Sequence, residues 1–192
     1  MNPSYSSSQL KKLASKWLKK TYDGVNPLFE YHLTGLAKRT IDVAAFHHGV
    51  LIGIEIKGHG DRLKPHHFKN QSDDYPRACS PIYLLTCPRT VEYPTPPHWG
   101  RLRVAKDGLE VESEPEVRLP QDKSFMLRAL NRGEIAEIAA ERRVDLSGLN
   151  CREEEAEKLA GSMSSEEVVR ALERFTLRPL NERVLSAQSR RN

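Results

Sequence analysis

Between Ser8 and Lys20, Leu10, Leu13, Ala14, Trp17 and Leu18 recur at helical spacing, while Lys11, Lys12, Lys16, Lys19 and Lys20 occupy the other faces. This predicts an amphipathic helix with a basic outer surface. Asp23-Gly24 and Asn26-Pro27 break it, and residues 28–34 then read as a strand. Two β-prone runs, 39–46 and 50–57, are separated by His47-His48-Gly49 and predict a hairpin. A helix is expected over 65–78, with Pro65 in its first turn and Pro76 near its end. Residues 81–86 are nearly all apolar, the pattern of a strand covered on both faces.

Pro94, Pro96 and Pro97 mark a stiff connector to a second hairpin, 102–104 and 109–111, around an Asp107-Gly108 turn at the sheet edge. Beyond Pro115 and Pro120 the pattern is helical, with helices predicted at 122–131, 133–143, 151–160 and 164–177. The last is opened by Ser164-Ser165-Glu166-Glu167, a capping box. The expected organisation is an α/β domain over 1–120, a helical region over 121–185 and a polar, flexible tail over 186–192.

Composition narrows the function classes. With 38% hydrophobic residues the chain can build a core. No eighteen consecutive apolar residues occur, and the start lacks a basic segment followed by an apolar one, so a cytoplasmic protein without a membrane partner is expected. Cys79, Cys87 and Cys151 have no close pairing, and no Cys-x-x-Cys or His-x-x-x-His set accompanies them, which favours buried thiols over disulfides or structural zinc. The net charge of +4 hides an asymmetry: residues 1–103 hold 15 Lys and Arg against 8 Asp and Glu, with all 7 histidines. A basic half suits a binder of phosphate backbones.

The candidate chemistry lies on the first hairpin. A two-residue turn at His48-Gly49 pairs His47 with Val50 and, counting back, Asp42 with Glu55. Opposed side chains stand about 5 Å apart at Cβ, so two carboxylates placed this way call for a compensating cation. Glu55 and Lys57 share one face of their strand, so that two acids and an ammonium converge. Mg²⁺ prefers such oxygen ligands, and Asp42, Glu55 and the Ile56 backbone carbonyl would make a partial shell. The alternative is a solvated Glu-x-Lys ion pair worth under ~1 kcal/mol.

Asp42, twelve intervening residues, then Glu55-Ile56-Lys57 resembles the bipartite motif of the PD-(D/E)XK nuclease superfamily. The order helix, three strands, helix, strand over residues 8–88 is similar to that superfamily's restriction-endonuclease-like αβββαβ core, here followed by a C-terminal helical extension. Asp61, Leu63, Gln71 and Tyr75 after the motif, and Trp99-Gly100 further on, resemble little-characterised bacterial and phage members. Ile41 replaces the proline before Asp42, and the first helix offers no acid.

The resemblance implies a Mg²⁺- or Mn²⁺-dependent deoxyribonuclease that hydrolyses phosphodiester bonds through metal-activated water, in DNA repair, recombination or phage-related processing. Asp42 and Glu55 would bind the metal, Lys57 would assist the water, and Gln71 would position phosphate or water. Glu30 is the candidate additional acid, ahead of Asp23 and Asp61, and Tyr75 is expected to pack. Lys11, Lys12, Lys16, Lys19, His59, Lys64, His66 and His67 are candidate DNA contacts. A homodimer would present two sites to a duplex. The alternatives are a DNA-binding member of the same fold with little or no catalysis, or an interaction protein supporting its helical tail.

Overall fold

The first helix, α1 (Ser7–Thr21), starts at a capping box in which the Ser6 hydroxyl accepts from the Gln9 amide and the Gln9 side chain accepts from the Ser6 amide. Its apolar stripe buries Leu10, Ala14, Trp17 and Leu18 in one cluster with Val43, Ala45, Ile52, Ile54 and Ile56. The structure is a computed structural model that describes residues 5–33, 40–58, 61, 65–87, 94–119 and 122–178.

Beneath α1 lies a six-stranded mixed sheet in the order β1-β2-β3-β4-β5-β6. The strands are β1 (Leu28–His32), β2 (Thr40–His47), β3 (Val50–Lys57), β4 (Ile82–Thr86), β5 (Gly100–Ala105) and β6 (Gly108–Ser113). β1, β2 and β3 are antiparallel neighbours, β4 lies parallel to β3, β5 parallel to β4, and β6 antiparallel to β5. The β3–β4 crossover carries α2 (Pro65–Asp74), as a parallel pair requires a long connection. Every residue of β4 is buried, which agrees with its unbroken apolar run.

Several boundaries differ from the sequence expectation. The helix expected to reach residue 78 ends at Asp74 and continues as a 3-10 turn, Tyr75–Arg77, because Pro76 has no N–H to donate and its ring crowds the preceding turn. The second hairpin turns through Lys106-Asp107 rather than Asp107-Gly108, since Ala105 pairs with Gly108. Gly108, at φ 136, takes the conformation that only glycine adopts cheaply.

The described residues form two compact units, 5–33 with 40–119, and 122–178. The second contains α3 (Lys123–Leu127), α4 (Arg132–Glu141), α5 (Arg152–Ala160) and α6 (Ser165–Leu177). α3 stops well short of the predicted residue 131 because Asn131 is extended and caps α4, its side chain accepting from the Glu134 amide. Cys79 and Cys87 are buried, whereas Cys151, beside the start of α5, is partly exposed, contrary to the buried-thiol expectation. Among the described residues, no helix is long and apolar enough to cross a membrane. The tail over 186–192 lies outside the described residues.

Candidate functional site

His48 and Gly49 form the β2–β3 turn with φ 47 and 77, the left-handed pair that suits a two-residue hairpin. The ladder begins at His47↔Val50 and runs to Val43↔Ile54. Past that pair, the Ile56 amide donates to Asp42 Oδ2 at 2.9 Å. A strand residue directs its N–H and C=O to the same edge, so the Ile56 carbonyl also faces β2. On the other side of β2, Phe29 pairs with Val43 and Tyr31 with Ile41, which leaves Glu30 opposite Asp42. Glu30 has φ 52, an uncommon left-handed conformation for a residue with a Cβ.

Lys11, from α1, closes this group. Its Nζ lies 2.9 Å from Glu30 Oε1 and 3.2 Å from Asp42 Oδ1. Burial works against its charge, but the two carboxylates outweigh that and hold the Lys11 pKa above the ordinary lysine value. Glu30 is shifted down in return, chiefly by its hydrogen bond from Lys11.

Glu55 is 2% exposed and surrounded by donors. Oε1 accepts from Lys57 Nζ at 2.5 Å and from Gln71 Nε2 at 2.8 Å, while Lys57 also donates to Gln71 Oε1 at 3.2 Å. Oε2 lies 3.0 Å from the Tyr75 hydroxyl, which is 2.7 Å from the Thr40 carbonyl and accepts from Gln71 Nε2 at 2.9 Å. The hydroxyl has a single proton. It is divided between two acceptors, the Thr40 carbonyl and Glu55 Oε2. Burial, and then the charge of Asp42, push the Glu55 pKa up to about 7 despite the opposing Lys57. Tyr75 is pushed upward too, by burial first and then by Glu55.

An aromatic wall backs this cluster. Tyr75 stacks on Trp99 with ring centroids 5.6 Å apart, Phe68 meets Trp99 edge-on at 6.0 Å, and Lys57 Nζ stands 5.6 Å from the Phe68 centroid. These rings pack against the Lys57 ammonium and the face of Tyr75.

Glu55, Lys57 and Gln71 are thus brought together, while Asp42 approaches them at the Ile56 amide, past the last ladder pair, rather than as the expected partner paired with Glu55. Glu30 joins Asp42 through Lys11 with its own side chain 71% exposed. The fold revises three expectations. Lys11 is not part of the open basic face: its side chain is only 17% exposed and paired with acids, whereas Lys12, Lys16 and Lys19 are exposed. Tyr75 does not merely pack but makes three polar contacts, because its place one turn after Gln71 aims both at Glu55. Asp61 serves the backbone, accepting from the Gly58 amide at 2.6 Å. Asp23, His66 and His67 are exposed, and His59, Leu63 and Lys64 lie outside the described residues. Thr40, whose carbonyl fixes Tyr75, gave no sequence signal.

Two carboxylates and a backbone carbonyl are hard oxygen donors, the chemistry that Mg²⁺ or Mn²⁺ requires. The donor types therefore fit a divalent cation. Among the described residues, no three His, Cys, Asp or Glu side chains gather as a metal-ligand group. The Asp42 and Glu55 oxygens are instead neutralised by Lys11, Lys57 and neutral donors.

No family model matches the chain, and no curated protein matches it. Among solved structures, it is similar to a protein of unknown function from Silicibacter pomeroyi, with a TM-score of 0.50 and 12% identity over 76% of this chain and 98% of that one. At that identity the likeness concerns the fold alone. It agrees with a mixed α/β architecture.

Proposed function

We propose that the β2–β3 hairpin carries a divalent-cation-dependent phosphodiesterase site of the PD-(D/E)XK type, and that the substrate is DNA. The observation that carries this reading is the Ile56 peptide turned toward Asp42 where the β2–β3 ladder ends, between Glu55 and Lys57 on the same strand. The order α1, β1-β2-β3, α2, β4 supports a restriction-endonuclease-like core.

Asp42, Glu55 and the Ile56 carbonyl would hold the cation. Bound there, it would supply Lewis-acid polarisation of the phosphate and a lower pKa for the attacking water. Lys57, whose ammonium stands against Glu55, would orient the water and offset charge developing on the phosphate oxygens. Gln71, tied to Glu55, Lys57 and Tyr75, would fix the direction of Lys57. Exposed Lys12, Lys16 and Lys19 on α1 would meet the phosphate backbone, and a cytoplasmic homodimer with two sites belongs to the same reading.

A panel of linear, circular, single-stranded and branched DNA, incubated with Mg²⁺, Mn²⁺ or chelator, tests the proposal. Cleavage that needs the metal and disappears in Asp42→Ala, Glu55→Ala and Lys57→Ala supports it. Cleavage that persists in Glu55→Ala assigns the activity to another site or to a contaminant.

One observation favours a second reading. With every acid oxygen of the pair already partnered inside the protein, the chain could be a DNA-binding member of the same fold without catalysis. Salt-dependent DNA binding with no cleavage in any metal would select it.

A further inference from the structure

We propose that Lys11 is a built-in competitor for the divalent cation: its ammonium holds Asp42 and Glu30 together and must give way before Asp42 can bind metal. This inference rests on the site reading above. Three observations converge on it.

First, Lys11 reaches Asp42 and Glu30 from α1, whose buried stripe packs in the cluster of Val43 and Ile54, whereas Gln71 and Tyr75 reach Glu55 from the crossover between β3 and β4. Lys11 therefore plugs the end of the β2–β3 ladder independently of the machinery around Lys57.

Second, Lys11 differs from its neighbours on the helix. Lys12, Lys16, Lys19 and Lys20 are exposed, while Lys11 flanks the buried stripe, one residue after Leu10 and three before Ala14. The helix is fixed in place by that stripe, so the ammonium is delivered to the acids with little additional ordering.

Third, the acid it engages is already half committed. Asp42 Oδ2 is taken by the Ile56 amide, so Oδ1 is the oxygen with which Asp42 would reach a cation, and Oδ1 is the atom that Lys11 contacts. A divalent ion on Oδ1 and an ammonium within hydrogen-bond distance of the same atom repel one another, so binding one weakens the other. Glu30 gives the displaced ammonium somewhere to remain: Lys11 can keep its 2.9 Å contact there while leaving Asp42.

The test is Mn²⁺ binding in the absence of DNA, measured by electron paramagnetic resonance and by titration calorimetry. It compares the wild-type chain, Lys11→Met, and Asp42→Asn combined with Lys11→Met. Removing the ammonium while keeping the aliphatic stem should tighten Mn²⁺ binding by about fivefold or more, the scale of one partly exposed ion pair. The added Asp42→Asn change should abolish the gain. Lys11→Gln, which keeps a neutral donor toward both acids, should show the same gain and covers the case in which Lys11→Met fails to fold. Equal or weaker Mn²⁺ binding in the Lys11 variants, with binding intact in the wild type, overturns the competitor role and leaves the site reading standing. Absence of Mn²⁺ binding from all folded variants removes both.

Discussion

The carboxylate of Asp42 accepts the backbone amide of Ile56 at 2.9 Å, at the place where the β2–β3 ladder has given out. A side chain thereby does the work of a missing strand partner, and the residue expected to bind metal is also a structural acceptor. The two roles separate in variants. Asp42→Asn keeps an oxygen for the Ile56 amide and should cost little stability while removing the charge. Asp42→Ala leaves that amide without its partner and should cost about 1–3 kcal/mol. Urea denaturation in chelator checks this, and equal losses in both variants would contradict the structural role.

Glu55 makes stability depend on pH. Its carboxyl is raised to about 7 in the folded chain, above the ordinary value of 4.5, so the folded state binds the proton more tightly. The associated stability is complete below about pH 4.5 and is lost as pH rises through about 7, a decline on the order of 3 kcal/mol. Glu55→Gln removes the titrating group and should flatten the decline. Unfolding free energies from pH 4.5 to 8 in chelator measure it. A wild-type slope unchanged in Glu55→Gln would refute the assignment.

Tyr75 couples Glu55 to the backbone of β2 through the Thr40 carbonyl. Tyr75→Phe keeps the stacking surface against Trp99 but removes the hydroxyl, and should cost about 1–3 kcal/mol. Because that hydroxyl favours the ionised form of Glu55, the Glu55 titration should move to still higher pH. Carboxyl-carbon NMR across a pH series reads the midpoint, and an unmoved midpoint argues against the bond.

Gly53 keeps the strands close behind the site. A Cβ there would come within 2.2 Å of Ile41 Cδ1 and 3.4 Å of Cys79 Cβ. Gly53→Ala should destabilise by about 1–3 kcal/mol, and Ile41→Val, which deletes the offending methyl, should recover part of it in the double variant. Strict additivity in a double-mutant cycle would contradict the clash.

Local chemistry made much of this legible in the sequence. The His48-Gly49 turn sets the hairpin register as far as Val43 with Ile54, but the pair that counting places next, Asp42 with Glu55, is not in the ladder, and Asp42 meets the Ile56 amide instead. The nearly all-apolar run 81–86 predicts a strand covered on both faces, and Pro76 marks where regular helix fails, though the predicted end lies beyond it. What stayed hidden depends on contacts between distant segments. Lys11 reads as one of five similar lysines until the helix is docked, and only its position beside Leu10 and Ala14 hints that it is turned inward. The left-handed backbone at Glu30 and the Thr40 carbonyl under Tyr75 arise from tertiary packing, with no glycine or motif to signal them.

Single-turnover cleavage of one labelled DNA substrate in Mg²⁺ tests the central claim most directly, comparing the wild-type chain with Asp42→Asn, Glu55→Gln and Lys57→Met at matched thermal stability. The account predicts metal-dependent strand cleavage by the wild type and a loss of at least about 100-fold in each variant, the scale on which charged groups at a hydrolytic centre act. Cleavage that is undiminished in all three folded variants would contradict it.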